Sequence, residues 1–261
     1  MNTERSRYVV RGLCCLRAVV LLLSGCTYAL AGNVSEQNGI TLQSTRIIYS
    51  GKETKGIPFA VTNNTQTPYL MQSRVTTWPP PPSAESSLPK SPFIVLPPLV
   101  RLEPGETVTL RIRLIENTLP SDKESVFAFQ LKAIPGQKDR GGYAGDQARI
   151  TLALQNTLKL FYRPEGLPPY DAQSAAGALQ FKRQGAQLIV TNPAVFYATF
   201  STLSAGGKKV DGKALLKMVP PLGQQTYPLQ DAESSGDIRW QLLNEYGVPT
   251  ISVTQSPENK K

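Results

Sequence analysis

Short alternating apolar segments separated by proline- and glycine-rich turns restrict the fold of this chain more than any other feature. In the longest segment, Arg149–Leu160, apolar side chains occupy even-numbered positions: Ile150, Leu152, Leu154, Leu158 and Leu160. Alternation with a period of two is typical of a half-buried β-strand, and this one is about twice the usual ~5–6 residues. The 22 prolines and 20 glycines also favour strands and turns over long helices.

Similar strand candidates recur along the whole chain. In the first half they are Ile40–Tyr49, Ile57–Thr62, Tyr69–Thr77, Phe93–Leu96, Val108–Leu114 and Val126–Ile134. In the second half they are Leu179–Phe181, Gln187–Thr191, Val195–Leu203, Ala214–Val219, Thr226–Leu229, Ile238–Leu243 and Val248–Thr254. This regular spacing predicts an all-β sandwich or barrel. The stiff bend Pro164–Pro169 predicts a boundary between a domain at 32–164 and a domain at 165–261.

The N-terminus is typical of an export signal. Four arginines precede a short apolar run, and Ala29-Leu30-Ala31 fits a small-x-small cleavage site. Residues 1–31 are therefore predicted to be a signal peptide, with the mature chain starting near Gly32. An alternative is that Leu23-Ser24-Gly25-Cys26 resembles a bacterial lipobox, which would place a lipid on Cys26.

Cysteine content and charge limit the chemistry of the mature chain. All three cysteines, Cys14, Cys15 and Cys26, lie in the leader, so cleavage after Ala31 would leave a chain that cannot form a disulfide. Loss of the leader, with its four arginines and one glutamate, would lower the formal net charge from +9 to +6. A basic surface suits nucleic acid, an anionic membrane or acidic proteins, and export argues against nucleic acid.

The chain contains no histidine, which excludes several kinds of site. A Ser-His-Asp triad, a Cys-His pair and any imidazole metal site are impossible. Carboxylate catalysis is chemically open, but the acidic residues are scattered without a paired arrangement. The sequence therefore predicts a protein that is not an enzyme and that holds no metal or cofactor.

Several motifs, taken together and in order, resemble the periplasmic pilus (fimbrial) chaperones of the chaperone-usher pathway. They are Thr45–Tyr49, Leu119-Pro120 with Glu124–Phe127, Ile134-Pro135, Lys159–Pro164, Asn192-Pro193 and Asn244–Gly247. The resemblance runs from about Gly39 to Gly247. It implies two immunoglobulin-like β-sandwich domains set at an angle, with a cleft between them. It also implies a chaperone that binds pilus subunits by donor-strand complementation and delivers them to an outer-membrane usher.

The resemblance further implies roles for particular residues. Ile150, Leu152 and Leu154 match the donor positions that fill the groove of a subunit lacking its last strand. Arg46 and Lys159 match the two cations that grip the C-terminal carboxylate of the subunit, which would fix the register of pairing. The resemblance leaves open whether free copies of the chain associate through the donor strand.

Three further residues match an ion-pair group near the hinge of the family. They are Glu124, Arg163 and Glu245, the last standing where the family usually has aspartate. Whether the longer side chain of Glu245 keeps the usual geometry is open. The segment Trp78–Pro82 departs from the usual Gln-x-Trp loop of the family.

Two other classes of protein remain to be weighed against a chaperone. An exported immunoglobulin-like adhesion or fibre subunit would need an N-terminal extension that donates a strand, and Gly32–Asn38 is short and polar. A carboxylate-based enzyme lacks a recognisable site. Alternating leucines alone would indicate only an ordinary sandwich strand, since a fold does not by itself assign a function.

Overall fold

The computed structural model describes residues 39–80, 91–136, 152–230 and 236–256. Most elements in these ranges are β-strands, and each of the two helices is short. The sixteen strands form four sheets, and two separate groups of buried apolar side chains hold the sheets together in pairs. The prediction of an all-β fold with two sandwiches is confirmed.

The first sandwich consists of nine strands. They are β1 (Ile40–Leu42), β2 (Arg46–Ser50), β3 (Ile57–Asn63), β4 (Tyr69–Thr77), β5 (Phe93–Leu96), β6 (Leu99–Leu102), β7 (Thr107–Leu114), β8 (Ser125–Pro135) and β9 (Leu154–Arg163). One sheet has the order β1-β3-β7-β5 and the other β2-β9-β8-β4-β6. Both sheets contribute alternate residues to one core, which includes Tyr49, Phe59, Phe129, Leu160 and Tyr162.

The second sandwich contains the remaining elements. They are α1 (Ala172–Ala178), β10 (Gln180–Gln184), β11 (Gln187–Asn192), β12 (Phe200–Ala205), β13 (Lys208–Lys209), α2 (Gly212–Leu215), β14 (Gly223–Pro228), β15 (Ile238–Leu242) and β16 (Val253–Gln255). Its sheets have the orders β10-β11-β14 and β13-β12-β15-β16. Trp240 is buried in its core and donates its indole N–H to the carbonyl of Ala176 at 3.0 Å.

Several predicted strands differ from the observed ones. Among them, β12 covers only the end of Val195–Leu203, and β16 covers only the end of Val248–Thr254. The segment Ile40–Tyr49 forms two strands, because the chain leaves one sheet after Leu42 and enters the other at Arg46. The segment Ala214–Val219 is not a strand: α2 covers its start, and Val219 makes only an isolated bridge to Ala198. The long strand was predicted at Arg149–Leu160 and is observed at Leu154–Arg163, with its predicted first three residues outside the described ranges.

Neither described helix is long and apolar enough to span a membrane. The predicted signal peptide, residues 1–31, and the alternative lipid site at Cys26 lie outside the described residues. The predicted domain boundary falls between β9, which ends at Arg163, and α1, which starts at Ala172.

Candidate functional site

Arg46 and Lys159, far apart in the sequence, are direct neighbours in the sheet. Arg46 begins β2, and its Cα partner on the parallel strand β9 is Lys159. Residues paired in this way project from the same face of a sheet. The structure therefore brings the two predicted carboxylate-binding cations together.

Contacts from the rest of the fold hold the Arg46 guanidinium in place. It lies over the Phe161 ring, 5.8 Å from the centroid, and its Nη1 donates to the backbone carbonyl of Leu243 at 3.4 Å. Neither Arg46 nor Lys159 forms an ion pair with a carboxylate among the residues that the structure describes. Within the described part of the chain, the two positive charges are therefore neighbours without a carboxylate partner.

Burial and charge repulsion make this an unfavourable place for two cations. Burial, and then the positive charge of neighbouring Arg46, lower the pKa of the Lys159 ammonium to about 8. Burial is also the main cause that lowers the pKa of Arg46. An incoming anion would relieve the repulsion and form charge-assisted hydrogen bonds.

The cation pair opens into a cavity of about 520 Å³. Four hydroxyl side chains also line it: Thr45, Thr157, Thr199 and Ser201. Residues of both sandwiches contribute, so a ligand here would contact both. Cations and hydroxyls in a cavity open to solvent are a donor set suited to a carboxylate.

A tight turn of the second sandwich completes the wall beside Thr45. The Asn244 side chain accepts hydrogen bonds from the backbone N–H of Tyr246 and of Val248, at 3.0 and 2.9 Å. Gly247 in this turn has a φ of +77°, and a Cβ there would lie 2.6 Å from the Thr45 hydroxyl. Only glycine combines this backbone conformation with so close an approach.

Beside the cation pair, one edge of β9 is available for pairing. On one side, β8 pairs with β9 from Leu154 to Tyr162, whereas on the other side β2 pairs with it only from Lys159 to Arg163. Among the described residues, no strand covers the second edge of Leu154–Leu158. An uncovered edge presents backbone N–H and C=O groups that can accept another strand.

The predicted donor side chains that the structure describes are exposed. Leu152 is 80% exposed and Leu154, at the start of β9, is 59% exposed, while Leu160, on the same face of the strand as Leu154 by its period of two, is fully buried. The prediction that Leu152 is exposed in the free protein is therefore confirmed. Ile150, the third predicted donor residue, lies outside the described residues.

The predicted ion-pair group is assembled next to this site. Arg163 donates from Nε to Glu124 at 2.8 Å and also pairs with Glu245, so the longer glutamate side chain does reach it. The other carboxylate oxygen of Glu124 accepts the backbone N–H of Tyr197 at 2.8 Å. Burial raises the pKa of Glu124, and the charge of Arg163 opposes this rise.

Aromatic rings enclose the Arg163 guanidinium on its remaining sides. It lies 4.4 Å from the ring centroid of Tyr170 and 5.1 Å from that of Phe196. Arg163 and Glu124 belong to the first sandwich, whereas Glu245 and both rings belong to the second. The cluster therefore joins the two sandwiches. Arg46 and Phe161 line the same small pocket as the cluster, so the cluster is next to the cation pair.

Trp78 is a site residue for which sequence reasoning found no role. Its ring lies 5.2 Å from the Lys159 Nζ and lines the same cavity. The contact follows from one row of paired residues across the sheet, which consists of Arg46, Lys159, Ala128 and Thr76. Trp78 follows Thr76 by two positions, just after the end of β4, and its ring lies on the same side of the sheet as the Lys159 ammonium.

Comparison with known proteins identifies the family. Residues 39–168 match the family described as pili and flagellar-assembly chaperone, PapD N-terminal domain, and residues 174–252 match pili assembly chaperone PapD, C-terminal domain. A relative named probable fimbrial chaperone LpfB, from Escherichia coli O157:H7, is 36% identical over 220 residues. That alignment covers 84% of this chain and 88% of the relative.

Solved structures agree with the sequence match. The SafB chaperone of Salmonella enterica, solved with the SafA pilin, gives a TM-score of 0.71 at 30% identity, over 84% of this chain and 96% of the other. The periplasmic chaperone SfaE gives a TM-score of 0.65 at 32% identity, over 84% and 100%. This chain belongs to the PapD family of pilus-assembly chaperones.

Proposed function

We propose that this chain captures a pilus subunit by adding a strand of the subunit to the free edge of β9, with the C-terminal carboxylate of that strand between Arg46 and Lys159. The observation that carries the proposal is that Leu154–Leu158, an edge that no other described strand covers, ends at two cations that have no carboxylate partner among the described residues. Capture of this kind needs no catalysed reaction, no metal and no cofactor. Among the described residues, no cluster of potential metal ligands occurs.

The direction of the added strand follows from this arrangement. Strand β9 runs toward Lys159, and β2 starts at Arg46 in the same direction along its edge. A subunit strand that ends at these cations must therefore run parallel to β9 and lie in line with β2. Its carboxylate fixes the register, because a slip by one residue would turn every side chain to the other face.

Exposed donor leucines would supply the apolar part of the interaction. Leu154 projects from the face of β9 that continues the core of the first sandwich, and the exposed Leu152 precedes it by two positions. In a complex they would fill the groove of a subunit that lacks a strand. Burying each would stabilise the complex by about 1.5–3 kcal/mol.

The proposed compartment is the periplasm, where the chaperone would pass its subunit to an outer-membrane usher. The predicted signal peptide and the SfaE relative described as periplasmic support this location. An intact mass equal to that of a chain starting near Gly32 would agree with this location, whereas a lipid on Cys26 would place the mature protein on a membrane.

Co-purification of subunits from periplasmic extract tests the proposal. We expect Arg46→Ala and Lys159→Ala to abolish recovery of the one-to-one complex, since a hydrogen bond to a charged group contributes about 1.5–3 kcal/mol. Lys182→Ala, which removes an exposed lysine of β10 outside the cavity, is the matched control and should leave recovery unchanged. Normal recovery with both site variants would refute the anchor.

The oligomeric state of the protein purified without subunits separates capture of subunits from self-association. The free edge and its exposed leucines also suit a second copy of this chain, in which case the purified protein would form dimers without a subunit. A dimer lost in Leu152→Glu would indicate pairing through the donor strand. A monomer in the absence of subunits would limit the use of this edge to subunit capture.

A further inference from the structure

The cavity beside Arg46 and Lys159 is larger than its proposed anion requires. A carboxylate has three heavy atoms and occupies on the order of 100 Å³, three times the ~30 Å³ share of a water molecule. The cavity measures about 520 Å³. The remaining space can therefore hold a side chain as well as the carboxylate.

One side of this space is apolar. The Trp78 ring lines it from the first sandwich, and Leu215 and Leu216 at the end of α2 line it from the second. Leu216 is 67% exposed, although the core of its own sandwich lies close by. An exposed leucine that lines the same cavity as an aromatic ring is suited to contact a ligand.

The position of the added strand places one of its side chains in this space. Lys159 and Thr157 project from the same face of β9 by the period of two, and both line the cavity. A residue of the added strand that pairs beside Thr157 would project from that face too. With the carboxylate at the cations, this residue is the last one of the subunit.

We propose that Trp78, Leu215 and Leu216 form an apolar subsite for the side chain of the C-terminal residue of the subunit, next to the anchor for its carboxylate. The inference rests on the proposed function, since it needs a strand that ends at Arg46 and Lys159. It adds a preference: subunits ending in a large aliphatic or aromatic residue are captured more tightly than subunits ending in glycine or an acidic residue.

Calorimetry with synthetic peptides tests the subsite. The peptides consist of alternating valine and threonine and end in phenylalanine or glycine. Each is prepared as a free acid and as a C-terminal amide. With the wild-type chain, we expect the phenylalanine acid to bind about tenfold more tightly than the glycine acid, from partial burial of the ring. Leu216→Ser should reduce this ratio below about threefold. It should leave the preference for acid over amide intact.

Leu99→Ser is the matched control, because Leu99 is a similarly exposed leucine, at 52%, that lies on β6 and does not line the cavity. It should keep both preferences. Tryptophan fluorescence then locates the peptide. Trp240 is buried, so Trp78 is the half-exposed one of the two tryptophans, and the phenylalanine acid should shift its emission to shorter wavelength. Trp78→Phe should abolish that shift.

The outcomes separate the subsite from the anchor. Equal binding of acid and amide, or no binding of any peptide at millimolar concentration, would overturn the anchor and the subsite together. A preference for acid with equal affinity for phenylalanine and glycine would overturn the subsite alone. So would a phenylalanine preference that survives in Leu216→Ser.

Discussion

At the scale of single residues, the charged form of Lys159 destabilises the native state. Its pKa is lowered from 10.5 to about 8, so between these values the unfolded chain binds more protons than the folded one. The contribution of Lys159 to the free energy of unfolding therefore rises with pH across that window. Below pH 8 the full cost of burying the charged lysine is present. A buried cation that destabilises the free protein, and whose cost a bound anion would offset, indicates a binding role.

Lys159→Met should accordingly stabilise the free protein at neutral pH, by on the order of 1 kcal/mol after solvent screening is allowed for. The advantage over wild type should shrink as pH rises from 8 toward 10.5, where the wild-type lysine is neutral in the fold. Urea unfolding of both proteins at pH 7 and pH 9.5 measures this difference. A variant that is less stable than wild type at pH 7 would mean that Lys159 has a structural role.

At the scale of secondary structure, β9 has an exposed part and a buried part along its length. Its C-terminal part carries the buried Leu160 and belongs to the core, whereas Leu154 at its N-terminal end and Leu152, two residues before it, are exposed. The alternation that predicts a strand is the same in both parts. Periodicity alone therefore could not show where the core ends and the exposed segment begins.

Leu152→Glu should leave the melting temperature of the free protein within error of wild type and abolish recovery of subunit complexes. The first result follows from the 80% exposure of Leu152, and the second from forcing a carboxylate into an apolar groove. Gln155→Glu places the same charge on the opposite face and should keep the complex. Thermal melts and co-purification of both variants decide it, and a clearly lower melting temperature for Leu152→Glu would assign Leu152 to the core.

Other elements show which sequence signals fail and why. The apolar segment Ala214–Val219 predicts a strand, but Asp211 accepts the backbone N–H of Lys213 and starts the short helix α2 instead. In the same way, Asp171 caps α1, which the sequence analysis did not predict. A capping aspartate stabilises the first turn by about 1 kcal/mol, enough to override a weak pattern of apolar residues.

At the scale of the whole molecule, the site depends on contacts between residues distant in sequence. The parallel pairing of β2 with β9 brings Arg46 to Lys159 across more than a hundred residues, and no local pattern could predict it. Resemblance to the family led to both cations, to the donor residues and to Glu245. Trp78 had no such guide, because its contact with Lys159 depends on the pairing of β4 with β8 and of β8 with β9.

The ion cluster that joins the sandwiches should respond unequally to its two simplest variants. Arg163→Met leaves the buried Glu124 carboxylate without its cation and should destabilise the protein by about 3 kcal/mol. Glu245→Gln alters a pair in which the glutamate side chain is 35% exposed and should cost less than about 1 kcal/mol. Urea unfolding ranks the two, and equal losses would contradict this distribution of burial.

Hydrogen exchange of the free protein and of its subunit complex tests strand addition most directly. Amides of Leu154–Leu158 that point away from β8 exchange at an uncovered edge in the free protein. In the complex, we expect these amides to become strongly protected, while the central strands of the second sandwich keep the same protection. A complex that forms with unchanged exchange across Leu154–Leu158 would contradict capture by strand addition at this edge.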